Sequence, residues 1–303
     1  MMRSGRQSAV MALLGTSISW GFSYVISAHL LQSFSPMGLS FLRMALTWTW
    51  IVILLYRKKE TTRLSHQTWL LLLMSSAFGT LIQQPFYFEG LRLSTAANAS
   101  LIYAAAPLAA IFLERLTLKT HLTTMKLIGG IIGFAGVAII VGIGDNRLRL
   151  TAGDGLLFFA MLGMTASMMF TPVLAKKMSL RTMNLNSVGI GMLMMAPIAG
   201  SEAYAGRWIA SNQSMPWILL ILLAFITAVS GIWWTKGVAE AGPGTAAIFM
   251  NLPPFISLMA GHWIISDPIR HVQLWGGALV LLGVFASTGL PLLKPDLSKT
   301  TDL

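Results

Sequence analysis

Polar and aromatic side chains that could bind a solute recur at helical spacing inside apolar stretches of this 303-residue sequence. A polar side chain within a membrane span is costly unless it faces protein or a water-filled cavity, so these residues are candidates for a binding site. Packing and hydrogen bonding between helices are the competing explanations. We predict substrate contacts from the following set: Ser17, Trp20, Tyr24, Gln83, Gln84, Tyr87, Asn98, Tyr103, Ser230, Trp233, Trp234, Asn251 and Phe255.

Three ionisable residues are candidates for gating or energy coupling. Arg43 lies inside an apolar stretch, and Glu89 is the acid nearest to a polar stripe. An ion pair between them would keep Glu89 ionised and favour a gate or structural lock over a proton carrier. His262 lies near a helix end, where a structural hydrogen bond competes with proton relay. Proton coupling, uniport and exchange all stay open.

The sequence contains few of the residue patterns that catalysis requires. The sequence has no cysteine, which excludes disulfides and thiolate catalysis. It contains neither HExxH nor GxSxG, and its five histidines are scattered along the chain. We therefore predict that the protein is not an enzyme, and that it has no catalytic residue, metal site or cofactor.

Composition places these residues in a membrane. Hydrophobic residues make up 55% of the chain and charged residues 10%, against about 25% charged in soluble domains. About 20 apolar residues are needed for each crossing. The sequence predicts an all-α integral membrane protein with ten transmembrane helices, at 9–31, 37–56, 68–88, 95–113, 122–143, 153–175, 183–202, 215–235, 243–265 and 272–293.

The distribution of positive charge predicts the orientation. With the N-terminus inside, fifteen of the 21 lysines and arginines fall in cytoplasmic segments and five fall outside. This bias is typical of multi-pass proteins of the plasma (inner) membrane and puts both termini in the cytoplasm. We therefore attribute the +11 net charge to membrane topology. The basic cytoplasmic segments would also attract anionic lipid, and a nucleic-acid partner is not predicted.

An internal repeat indicates how the helices are arranged. Residues 90–142 match 237–289 without gaps, and five glycines and Pro107 align with five glycines and Pro254. A unit of five helices crosses the membrane an odd number of times, so its two copies have inverted topology. We place the first repeat at 1–147 and the second at 148–303. A substrate cavity is expected near the midplane between them.

Prolines mark the point where the fourth and ninth spans are expected to open. Proline removes one main-chain hydrogen bond, which exposes the carbonyl of Tyr103 before Pro107 and that of Met250 before Pro254. With Pro253, these residues would break both helices near the midplane. A kink that only shapes packing is the alternative.

Several motifs resemble the drug/metabolite transporter superfamily, specifically its ten-helix permeases with two EamA-type repeats. They comprise Trp20-Gly21, Phe41-Leu42-Arg43, Glu89-Gly90-Leu91, Ala96-Ala97, Gly129-Gly130, Gly136-Val137, Trp234, Gly237, Ala246-Ala247, Asn251-Leu252-Pro253-Pro254, Gly276-Gly277 and Gly283. The sequence departs from the family pattern in two ways. Asp267 and Thr120 stand where a glutamate often follows the helix proline, and the sixth span lacks a tryptophan that is often found there.

The resemblance implies export of small metabolites, often amino acids. Together with the repeat, it predicts a secondary transporter that works by alternating access on a small-molecule substrate, in a lipid bilayer. Efflux of drugs or cationic amphiphiles is the alternative, and lipid flipping a weaker one. The sequence leaves open whether the protein is a monomer or a homodimer. We predict that the methionines on the sixth and seventh spans face lipid. The alternative is that they line a cavity whose wall adapts to different solutes.

Overall fold

A computed structural model describes residues 2–55, 64–94, 96–120, 123–142, 151–265 and 270–288. The described residues form helices without any strand. The helices are α1 Met2–Leu30, α2 Pro36–Leu55, α3 His66–Ser76, α4 Gln83–Leu93, α5 Ala96–Ala104, α6 Ala106–Leu118, α7 Thr124–Gly142, α8 Ala152–Ala175, α9 Leu180–Tyr204, α10 Ser214–Ala241, α11 Pro243–Ile248, α12 Leu252–Ile265 and α13 His271–Thr288.

These helices make ten membrane crossings, which confirms the predicted all-α membrane fold. A π-helical turn, Ala77–Ile82, joins α3 to α4 within the third crossing. Five helices of the described chain are individually long and apolar enough to span a bilayer: α1, α2, α7, α8 and α10. The predicted junction between the repeats, at 147 and 148, lies outside the described residues.

Helices α7 and α13, the last of each repeat, show the inverted arrangement most directly. A Cβ at Gly136 would lie 2.6 Å from the Gly276 carbonyl oxygen, and one at Gly283 would lie 2.6 Å from that of Gly129. Gly129 and Gly136 align with Gly276 and Gly283 in the repeat, so the two contacts are images of each other. Residue numbers rise along one helix as they fall along the other, so the helices run antiparallel. Small residues permit this close approach.

The remaining helices pack in pairs that obey the same symmetry. Helix α1 packs on α10, and its equivalent α8 packs on α4. Gly237 of α10 contacts Leu13, just as Gly90 of α4 contacts Leu157. A central apolar core joins both repeats and includes Leu13, Val137, Phe249 and Val280.

Two smaller apolar clusters lie near the ends of the bundle. The α1–α2 cluster consists of Leu30, Phe34, Leu39, Leu220 and Leu223. The α8–α9 cluster consists of Leu72, Leu174, Met178 and Met183. Each lies where a short connection joins the first two helices of a repeat, so the clusters occupy opposite ends of the molecule.

The fourth and ninth crossings are interrupted where prolines were noted. Helix α5 ends at Ala104, and Pro107 occupies the first turn of α6 after a break at Ala105. A 3₁₀ turn, Phe249–Asn251, separates α11 from α12, which contains Pro253 and Pro254. The carbonyl of Phe249 accepts a hydrogen bond from the Ser17 hydroxyl at 2.9 Å. An interrupted helix therefore supplies main-chain polarity inside the bundle.

Candidate functional site

A cavity of about 220 Å³ lies between the two repeats in the half of the bundle nearer the α8–α9 cluster. Both repeats contribute to its wall, and none of the fifteen residues carries a charge: Met44, Ser75, Ser76, Gly79, Thr80, Ser167, Met168, Thr171, Leu174, Met183, Asn184, Ser187, Val188, Trp234 and Thr235. Thr80 lies about 20 Å along the third crossing, at 1.5 Å per residue. The cavity therefore extends from beside the α8–α9 cluster to about the middle of the bundle.

The π-helical turn brings part of the wall into position. It contains Gly79 and Thr80, and such turns interrupt the regular register of a helix. A Cβ at Gly79 would lie 3.0 Å from the Ser167 hydroxyl oxygen, and one at Gly191 would lie 2.9 Å from that of Thr80. These two glycines let α8 and α9 approach the turn closely, which places hydroxyl groups from three crossings around one space.

Several polar side chains of the cavity wall form hydrogen bonds with neighbouring protein groups. The Ser167 hydroxyl donates to the Met164 carbonyl at 2.7 Å, and the Thr235 hydroxyl donates to Asn184 Oδ1 at 2.9 Å. Asn184 Nδ2 donates in turn to the Leu180 carbonyl at 2.8 Å. Ser75 and Ser76 donate across to the carbonyls of Ser167 and Ser187 at 3.4 and 3.3 Å.

Of the predicted contact residues, Trp234 lies at the cavity wall. Its ring packs against that of Trp20, with centroids 4.9 Å apart and planes tilted by 42°. Trp20 therefore supports the wall from behind. The neighbouring Trp233 is 41% exposed and covers Gly15 of α1, outside the cavity lining.

The predicted polar residues of α4 and α5 form links between helices. Gln83 Nε2 donates to the Tyr103 hydroxyl at 3.1 Å, and Tyr87 meets the Tyr103 ring edge-on. Gln84 Oε1 accepts from the Ser40 hydroxyl at 3.3 Å. These residues lie together, but the structure does not bring them to the cavity lining.

Other predicted residues are buried within the bundle. Ser17 and Ser230 lie at the α1–α10 contact, where the Ser230 carbonyl accepts from Thr16. Phe255 packs over Gly277. Asn251 is fully buried against Gly133, and neither polar atom of its side chain has a hydrogen-bond partner. A role for any of them in substrate contact stays a prediction.

The predicted gating residues occupy different surroundings. Arg43 is half-buried and close enough to Tyr87 for its charge to act on the phenol. Glu89 and His262 are exposed. The proposed pairing of Arg43 with Glu89 stays a prediction, as does the role of Tyr24, whose side chain lies outside the described residues.

Asp154, a buried acid that the sequence analysis passed over, joins the two repeats near the α1–α2 end. Its carboxylate accepts from the Asn98 amide at 3.0 and 3.1 Å, from the Ser94 hydroxyl and from the Thr151 amide at 2.7 Å. Asn98, predicted as a substrate contact, is thus occupied with this link. The Thr151-Ala152-Gly153-Asp154 capping box was the available sequence signal.

Glu114 makes a corresponding link at the opposite end. Its Oε2 accepts from the Gly244 amide at 3.1 Å and from Lys126 Nζ at 3.3 Å. The carboxylate is also near Gly242, whose φ of +87° favours glycine. This contact binds α6 of the first repeat to the start of α11 in the second.

Comparison with known proteins identifies the architecture. Residues 7–142 and 151–289 each match the EamA-like transporter family. The chain belongs to the EamA-like transporter family. It is 25% identical over 295 residues to an uncharacterized transporter, YyaM, of Bacillus subtilis, covering 92% of both chains. An uncharacterized transporter of Archaeoglobus fulgidus is 22% identical over 266 residues, covering 88% of this chain and 93% of that one.

A solved structure, described only as a crystal structure of a protein, shares the fold. It superposes with a TM-score of 0.79 at 16% identity, covering 93% of this chain and 98% of its own. This EamA-family protein is a multi-pass membrane transporter of small molecules in a lipid bilayer. The family and the relatives' names point to a transporter rather than an enzyme.

Proposed function

We propose that this EamA-family protein exports small metabolites, amino acids first, by alternating access between the halves 1–147 and 148–303. The observation that carries the proposal is a cavity between inverted repeats that extends from beside the α8–α9 cluster to the middle of the bundle. In transporters of this kind the substrate site lies between the repeats, and rocking of one repeat against the other changes its access.

The α1–α2 cluster is tightly packed at the opposite end of the bundle. Phe34 meets Trp217 edge-on with ring centroids 5.0 Å apart, and both Leu30 and Leu220 of the α1–α2 cluster are fully buried. The Ser35 amide donates to the Ile209 carbonyl at 3.0 Å across this end. The location of the cavity in one half of the bundle supports assigning the structure to one of the two states that alternating access requires.

The size of the cavity favours metabolites over drugs. Its volume of about 220 Å³ lies below the roughly 300–1,000 Å³ of sites that hold drug-sized ligands. A second hollow, of about 380 Å³, lies between α2 and α9 near the α1–α2 end, lined by Phe41, Ala196, Ala199, Gly200, Ala203 and Trp208. These described lining residues do not form the row of polar side chains that lipid flipping would need, so a flippase is the weaker alternative.

The charge pattern supports an orientation, and the resemblance to EamA-type permeases supports export. The lysine and arginine bias favours the cytoplasmic side of the plasma membrane for both termini, and with them for the α8–α9 end. The cavity would then face the cytoplasm and load a solute for export.

Reconstituted protein tests the proposal. Proteoliposomes that contain the full chain should accumulate or release at least one radiolabelled amino acid from a panel, while protein-free liposomes should not. Flux of cationic drugs without flux of any amino acid would support the multidrug alternative instead. Flux of fluorescent lipid alone would support a flippase.

A further inference from the structure

Several hydroxyl groups of the cavity wall are left with only their acceptor lone pairs for a solute. A main-chain carbonyl can only accept a hydrogen bond, so a hydroxyl bonded to it must be the donor and has no second proton to donate to a solute. Ser167 does so with the Met164 carbonyl at 2.7 Å. Its oxygen therefore offers a solute only lone pairs.

The Thr235 hydroxyl is likewise left as an acceptor, because its proton is donated to Asn184. The Asn184 amide nitrogen donates to the Leu180 carbonyl at 2.8 Å, which fixes the orientation of the amide group. Its oxygen must then be the atom that faces Thr235, and the Thr235 hydroxyl must donate to it at 2.9 Å. The Thr235 oxygen is thus also left as an acceptor.

Ser75 and Ser76 add two weaker contributions of the same kind, since each donates to a carbonyl of a neighbouring helix at 3.4 or 3.3 Å. Thr80, Thr171 and Ser187 can present either an acceptor or a donor. The ring of Trp234 completes the wall: its face attracts cations, and its N–H is a donor, as is the second N–H of the Asn184 amide. None of the described lining residues carries a charge that could pair with a carboxylate.

We propose that this wall selects solutes by a hydrogen-bond donor, above all an ammonium group, and provides no cation to pair with a carboxylate. The proposal rests on the transport function proposed above and names the part of the solute that is recognised. For an amino acid, the ammonium group contacts the acceptor wall, which is formed by the hydroxyl oxygens of Ser75, Ser76, Ser167 and Thr235. The side chain packs against Met168, Met183 and Leu174. Solutes that keep the amine and lose the carboxylate remain ligands.

Three matched probes test this selection: leucine, leucinol and 2-hydroxy-4-methylpentanoate. Leucinol keeps the ammonium and lacks the carboxylate, whereas the hydroxy acid keeps the carboxylate and lacks the ammonium. Binding to the purified full chain in nanodiscs is measured by titration calorimetry. We expect leucinol to bind within about tenfold of leucine, and the hydroxy acid to bind at least about tenfold more weakly, the value of one hydrogen bond to a charged group.

Two pairs of variants assign the effect to the wall. Thr235→Val should weaken leucinol binding about tenfold, whereas Thr227→Val should not, because Thr227 donates to the Leu223 carbonyl away from the cavity. Ser167→Ala should behave like Thr235→Val. Ser201→Ala is its control, since Ser201 makes the same bond to the carbonyl three residues earlier on an exposed surface.

The hydroxy acid binding as tightly as leucinol, no binding of any probe, or equal losses in wall and control variants would overturn the inference. Such a result with persistent amino-acid flux in proteoliposomes would leave the transport function standing. Selective leucinol binding without any amino-acid flux would contradict the proposed function and leave the acceptor wall intact.

Discussion

The two clusters at the ends of the bundle are made from equivalent positions. Leu30, Phe34 and Leu39 of the α1–α2 cluster correspond to Leu174, Met178 and Met183 of the α8–α9 cluster, each 144 residues later. The family match begins with the same spacing, at residues 7 and 151. Each cluster joins the first two helices of one repeat to a helix of the other.

Their side chains differ in stiffness. The α1–α2 cluster pairs Phe34 with Trp217, whose indole nitrogen is anchored to the Ser211 carbonyl at 2.9 Å. The α8–α9 cluster has methionines at two equivalent positions, and Leu174 and Met183 also line the cavity. Methionine adapts to irregular spaces at little cost. Backbone symmetry therefore makes both ends potential gates, while side-chain chemistry makes the α1–α2 end the tighter of the two.

The largest effect is expected at the α7–α13 seam, the scaffold on which both ends depend. Gly136→Leu and Gly283→Leu should each abolish recovery of folded protein, because a Cβ at either position would lie 2.6 Å from a carbonyl oxygen. Gly155→Leu is the control, since no atom lies within 4 Å of its Cβ position. Size-exclusion chromatography measures the result. Unequal tolerance of the two seam variants would contradict their equivalence.

Locking the α1–α2 end should stop transport completely and reversibly. The hydrogen bond between Ser35 and Ile209 suggests Cα atoms about 5–6 Å apart, within reach of a disulfide. The native chain has no cysteine to interfere. Oxidised Ser35→Cys/Ile209→Cys protein should show no amino-acid flux, and reductant should restore it. Each single variant is the control, and full flux through fully cross-linked protein would show that this end does not open.

Trp234→Ala should lower the initial rate of amino-acid flux about tenfold without loss of folded protein, because it removes part of the cavity wall. Its repeat equivalent, Tyr87→Ala, should have a smaller effect, about twofold, since Tyr87 packs on Tyr103 instead. Trp233→Ala is the matched control on the same helix. Unchanged kinetics in Trp234→Ala would remove this residue from the site.

The smallest effect distinguishes the two clusters themselves. Phe34→Ala should loosen the α1–α2 end, since truncating a buried phenylalanine removes up to about 3–5 kcal/mol of packing. Labelling of a reporter cysteine at Ser40, a buried position on α2, by an impermeant maleimide should rise about fivefold, which corresponds to ~1 kcal/mol. Met178→Ala should leave this labelling unchanged. Equal responses would mean that the clusters close their ends equally well.

Much of the fold could be predicted because its signals are local or periodic. Apolar length located the ten crossings, and the aligned glycines revealed a repeat whose odd helix number requires inversion. Pro107 and Pro254 marked helices that are interrupted in the structure. Among the candidate contacts whose side chains the structure describes, Trp234 is the one in the cavity lining.

The sequence did not identify the cavity-wall residues of the sixth and seventh crossings, because the predicted contacts were drawn from other crossings. Ser167, Thr171, Asn184 and Ser187 lie on the two crossings whose methionines suggested lipid-facing filler. That reading is wrong for Met161, Met168, Met169 and Met195, which are all buried. Serine and threonine in a span also bond to their own helix, so their presence alone does not indicate a cavity.

By itself, the order of residues determined the membrane environment, the crossings and the duplication, because each depends on hydrophobic length and repetition along one chain. Only the tertiary structure decided which hydroxyls face an empty space, which carboxylates join the repeats and which end is closed. Those properties depend on distances between side chains from different helices. Asp154 and Asn98, 56 residues apart in sequence and hydrogen-bonded in space, show why a span-by-span reading could not reach them.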